Sequence, residues 1–139
     1  MRKIVLIILL VSVFTLLLVA CGGSDGDTAE TESSGDAVAR GEALYKKTSI
    51  GAASAPGCIT CHSLDESVTL VGPSHAGIGA AAASRVAGMS AEDFLEQSIT
   101  EPDAEVTENF SPGVMYPNYG RELSDQEIAD LVAFLVSLK

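Results

Sequence analysis

Gly57-Cys58-Ile59-Thr60-Cys61-His62 is the stretch on which the reading of this chain turns. Cys58, Cys61 and His62 form C-x-x-C-H, the spacing that attaches a c-type haem. On a turn of helix, residues i and i+3 share a face, so both sulfurs can meet two vinyl groups along one porphyrin edge. The next side chain, His62, can then offer an imidazole nitrogen to the iron. A thiol–disulfide site would want a βαβ context, and no strand pattern surrounds the motif. A closed zinc site needs four ligands. The chain has three cysteines, and Cys21 has another role. Haem c, one group attached covalently through Cys58 and Cys61, is therefore the expected cofactor.

Working outward toward the start, Met1-Arg2-Lys3 and the largely apolar run Ile4 to Ala20 read as an export signal. At 17 residues the run sits at the lower edge of what spans a bilayer. Leu18-Val19-Ala20-Cys21 resembles a bacterial lipobox, followed by Gly22-Gly23. That resemblance implies cleavage before Cys21 and lipid on its sulfur; the alternative is an uncleaved signal anchor. Either way the positive residues Arg2 and Lys3 stay inside, which places the rest at the cell membrane on its extracytoplasmic side. The expected organisation is a lipoprotein signal peptide over 1–20, a lipidated Cys21 with a flexible acidic Gly/Ser linker over 21–35, and one domain over 36–139. The 14 residues from Gly22 to Gly35 hold no large apolar side chain and reach about 20 Å as a flexible coil.

The full chain carries 8 basic and 19 acidic residues, a net charge of −11. Loss of Arg2 and Lys3 with the leader takes it to −13. Such a surface argues against nucleic acid and anionic lipid as binding surfaces. It favours a basic patch on a partner, or simple solubility.

Within the domain, Asp36 can cap a helix of roughly Ala37 to Lys47, whose apolar face is Ala37, Gly41, Leu44 and Tyr45. Gly41 costs about 1 kcal/mol in a helix interior relative to Ala, so a close helix crossing is expected there. Residues 49–56 are small and loop-like. Val68 to Pro73 is an apolar patch ending in a Gly-Pro turn, and Gly77 to Ala83 reads as loop or short helix. Ser90 and Asp93 form an acidic variant of a capping box, opening a helix of about Ala91 to Ile99 with Phe94, Leu95 and Ile99 inward. Glu101 to Arg121 is a loop containing Pro112, Gly113 and Pro117, long enough to suggest a function. Ser124 and Glu127 form a capping box with a Leu123–Ile128 staple. Ile128, Leu131, Val132, Leu135 and Leu138 then mark one face of the last helix.

A carrier haem wants a second axial ligand, and the candidates are Met89, Met115 and His75. Met115, on a Pro-bounded loop, is the expected one, giving His62 and Met115 as metal ligands. Met89 precedes a helix cap and reads better as a gap-filling core residue.

Taken in this order, these features resemble the small bacterial class I cytochromes c, from about Gly35 to Lys139. The matching features are the helix with Gly41 and Tyr45, Cys58-x-x-Cys61-His62, Gly72-Pro73, Met115-Tyr116-Pro117 and the last helix with Leu131 and Phe134. The resemblance implies an all-α fold, a few helices wrapped around one haem. It also implies that Gly41 packs on the last helix near Leu131 and Phe134, and that the Pro73 carbonyl accepts a hydrogen bond from His62. One departure is His75, where the family commonly has Leu after Gly-Pro-x. It reads either as a partly exposed histidine near the haem edge, or as an alternative axial ligand or pH-linked group.

The function these features lead to is that of a monohaem one-electron carrier rather than an enzyme. It would be tethered to the outer face of the cytoplasmic membrane in a respiratory or photosynthetic chain. Redox proteins are the expected partners: a quinol-oxidising complex, an oxidase or a reaction centre. The alternatives are a haem-containing subunit of a larger oxidoreductase complex and a ligand-binding sensor or enzyme whose sixth position opens. Leu70, Val71, Ile78, Phe94, Phe110, Val114 and Tyr116 are the expected haem-lining residues, with Pro73 beside His62.

Overall fold

The computed structural model describes residues 33–139, and the first element among them is helix α1, Ser34–Tyr45. The export signal, the acylated cysteine and nearly all of the tether expected above lie outside those residues. The helix starts earlier than Asp36 suggests. Ser33 takes the extended N-cap conformation without a side-chain cap, and Asp36 falls inside the first turn, where a carboxylate favours the positive end of the helix dipole. Ser34 and Gly35 are thus the first residues of the helix.

A two-stranded antiparallel hairpin follows, β1 (Ser49–Ile50) and β2 (Ala55–Pro56), with Ser49 opposite Pro56 and Ile50 opposite Ala55. This corrects the loop expected over 49–56. The strands are too short to show alternation in the sequence, and burial of Ile50 and Ala55 holds them in place. The hairpin leads directly into a 3₁₀ turn over Cys58–Thr60.

Four helices complete the domain: α2 (Ile78–Ala82), α3 (Ala91–Thr100), α4 (Tyr119–Glu122) and α5 (Asp125–Ser137). Ser90 caps α3 by accepting a hydrogen bond from the Asp93 backbone N–H. For α5 both halves of the capping box form, and Leu123 and Ile128 are buried as the staple requires. The short α4 overlaps the end of the segment read from sequence as loop, Glu101 to Arg121. One turn carries no periodic signal, and burial of Tyr119 sets it.

The main packing is α1 against α5, with α3 and α2 also resting on α5. At the crossing a Cβ on Gly41 would overlap the Asp130 carbonyl and the Phe134 side chain. The glycine is there because the two backbones nearly touch. Beside it Arg40 Nε and Nη2 donate to the two carboxylate oxygens of Asp130 at 2.7 and 2.8 Å. Tyr45, Leu131, Phe134 and Leu135 fill the core below. Among the described residues no helix is long and apolar enough to cross a membrane.

Candidate functional site

The hairpin and α4 aim the Cys58–His62 segment. Gly57 N–H donates to Thr48 O at 2.9 Å, closing the base of the hairpin. The Tyr119 hydroxyl donates to Pro56 O at 2.6 Å from the other side. The 3₁₀ turn then follows, with His62 N–H donating to Cys58 O at 2.9 Å. With three residues per turn, positions i and i+3 eclipse, so Cys58 and Cys61 stand on one side more directly than an α-turn would place them. Both thiols are free. Burial pushes the Cys58 thiol up to about 11, so it stays protonated at neutral pH and is a poor thiolate nucleophile. Among the described residues no cluster of three or more His, Cys, Asp or Glu side chains could hold a metal ion, and none completes a zinc site here.

His62 is buried, and its Nδ1 lies 2.8 Å from the Pro73 carbonyl. A carbonyl only accepts, so Nδ1 carries the proton and Nε2 keeps its lone pair. Burial lowers the His62 pKa, favouring the neutral imidazole that a metal requires. Gly72 lies hard against this ring, where a Cβ would overlap Cε1. Gly-Pro is thus more than a turn: Gly72 gives the imidazole room and Pro73 holds it.

These residues open onto a cavity of about 650 Å³. Cys58, Cys61, His62 and Pro73 line one part of it. Val71, Ile78, Phe94, Phe110, Val114, Met115 and Tyr116 also line it. Leu70 is the exception among the expected lining residues: it is 47% exposed and does not reach the cavity. Val71 and Val114 are each 55% exposed and mark the cavity mouth. Met89 is partly buried against the core and is absent from the cavity wall.

The wall carrying Met115 is fixed by side chains that the sequence did not single out. Asp103 Oδ1 accepts from Gly113 N–H at 2.7 Å, and Arg85 donates to Thr107 Oγ1 at 3.2 Å. The Tyr116 hydroxyl donates to Glu122 Oε1. An acidic residue in a polar loop gives no sign in sequence of which amide it will meet.

His75 stacks on the ring of His62, with centroids 3.9 Å apart and planes 17° from parallel. A ring stacked face to face on His62 cannot stand across a metal from it, which removes the alternative-ligand reading of His75. Burial, with His62 alongside, pushes the His75 pKa down to about 3. Its Nδ1 lies 3.2 Å from the hydroxyl of buried Tyr45, which is also 3.3 Å from the His62 carbonyl.

The chemistry of the donor set fits a haem. Two thiols share one side of a turn, a neutral imidazole is held through its far nitrogen, and a thioether stands on a pinned loop. All four reach one largely apolar cavity. The family model for cytochrome c matches residues 38–139. The chain belongs to the cytochrome c family. The search of curated proteins found no match. Membership implies a covalently bound haem c, a role in haem-based electron transfer and redox proteins as partners. The mostly helical cytochrome domain has the all-α architecture of class I members.

Proposed function

We propose that this cytochrome is a monohaem, lipid-anchored one-electron carrier on the extracytoplasmic face of the cell membrane. Cys58 and Cys61 hold the haem, His62 and Met115 are the axial ligands, and Cys21 carries the lipid. The observation behind this reading is that Cys58, Cys61, His62 and Met115, 57 positions apart at the extremes, line one cavity. When bound, haem iron supplies one-electron exchange between its ferrous and ferric states, and Met/His ligation raises its potential.

The chain's own residues have three tasks. Pro73 keeps the proton on His62 Nδ1, which directs Nε2 to the cavity and raises the ring's basicity. Asp103, Arg85 and Glu122 hold the Met115 loop, which favours a ligand retained over one released. Phe94, Ile99, Leu131 and Leu135 form a dry inner wall. Val71 and Val114 leave the mouth apolar and near the surface. That suits a brief contact with a redox partner, since such interfaces are small. A quinol-oxidising complex, an oxidase and a photosynthetic reaction centre all meet this description. The strongly acidic domain favours a partner with a basic surface.

The test is the intact mass and optical spectrum of protein made in a host with working cytochrome maturation. One porphyrin-sized increment, a lipid increment on a chain beginning at Cys21, and the ferric near-infrared sulfur-to-iron band are expected. No porphyrin increment would overturn the haem reading. A lipid-free, uncleaved chain would overturn the anchor, and ready carbon monoxide binding without the near-infrared band would favour a sixth position that opens.

A further inference from the structure

The contacts around His62 go beyond what a ligand bond and one hydrogen bond need. An imidazole bound through Nε2 keeps one soft coordinate, rotation of its plane about the metal–nitrogen axis. The Nδ1–H bond to Pro73 resists that rotation, but a single hydrogen bond of 2.8 Å tolerates a broad range of acceptor directions. In this chain a second aromatic ring lies on the imidazole, nearly parallel to it and in van der Waals contact. On another side Gly72 leaves no room for a side chain: a Cβ there would come within 3.0 Å of the ring's Cε1, Nδ1 and Nε2.

The stacked ring is itself fixed. His75 N–H donates to Ser63 O at 2.8 Å, which sets its backbone. Its Nδ1 meets the Tyr45 hydroxyl at 3.2 Å, and that hydroxyl meets the His62 carbonyl at 3.3 Å. If His75 Nδ1–H donates to Tyr45 and Tyr45 O–H donates to His62 O, all three groups are satisfied at once. Tyr45 is wholly buried, packed on Phe134 with centroids 5.2 Å apart, and ties this arrangement to the α1–α5 core. An aliphatic residue at position 75 could fill the space, but it could neither present a flat face to His62 nor bond to Tyr45.

We propose that His75 is a positioning residue for the axial imidazole: stacked on His62 and anchored by Tyr45, it sets the ring's rotation and so tunes the iron's electronic state and potential. This rests on the assignment of His62 as the haem ligand. His75 touches no iron and acts only through His62.

The test compares the holoprotein with His75→Leu, His75→Phe and Tyr45→Phe, all loaded with haem in the maturation host. The four ferric haem-methyl proton shifts report the axial ligand plane, and a redox titration reports the potential. His75→Leu is expected to change the order or spacing of the four shifts and to move the midpoint, while haem content and the near-infrared band stay as in the parent. His75→Phe keeps a ring but loses Tyr45, so it should fall between the parent and His75→Leu, as should Tyr45→Phe. A parental shift pattern and midpoint in all variants that load haem would overturn the proposal. If His75→Leu fails to load, the other two are judged by the same criterion. A parent protein without haem would instead overturn the ligand assignment itself, so the two failures are distinguishable.

Discussion

Gly41 and Met115 show two kinds of residue-scale dependence. Gly41→Ala places a methyl group in the Asp130 carbonyl and forces α1 and α5 apart. Overpacking of this kind costs about 1–3 kcal/mol, and urea unfolding of the holoprotein should show that loss with little change in its spectrum. Met115→Leu conserves bulk but removes the thioether. It should abolish the ferric near-infrared band and allow the ferrous form to bind carbon monoxide, both read optically. Residues of the first kind are visible in sequence when they break a local rule, as a glycine inside a helix does. Cys58, Cys61 and His62 are visible because their chemistry demands a fixed spacing. Tyr119 and the Tyr45–His75 pair are not, since nothing near a tyrosine in sequence says which carbonyl or imidazole it will reach. His75 stands out only as a departure from its family's usual residue; the stack on His62 is a tertiary fact.

Among the elements, α5 carries the clearest signals, because capping box, staple and 3.6-residue periodicity all agree. The one-turn α2 and α4 have no period to display and depend on their neighbours. The α1–α5 crossing also has an electrostatic component that can be tested. The hydrogen bonds from Arg40 hold the buried Asp130 carboxyl below the usual carboxylate range. A carboxyl with a lower pKa folded than unfolded stabilises the fold fully above the unfolded value. That contribution is lost as pH falls through the folded value. Arg40 is 38% exposed, so screening limits what the pair is worth. Arg40→Met should therefore cost about 1 kcal/mol at neutral pH. Its deficit against the parent should shrink as the pH falls below the ordinary carboxylate range, measured as paired urea midpoints.

Across the whole molecule, a domain of this size has little core to spare, and its apolar side chains surround a cavity of about 650 Å³. Protein interiors are otherwise close-packed, so the covalent group completes the core as well as serving the chemistry. Replacing both Cys58 and Cys61 by Ser should remove the cooperative thermal transition, followed by far-ultraviolet circular dichroism; a sharp transition without haem would contradict this. The Arg40–Asp130 pair joins positions 90 residues apart. Synthesis runs from the amino end at about 5–20 residues per second, so α1 waits several seconds for the helix it packs against. Cys58 and Cys61 are made within that interval, 18 and 21 residues after Arg40, and well before the helix that completes the fold. The order in which the helices are made thus opens a window in which the thiols can be reached before the fold closes around them.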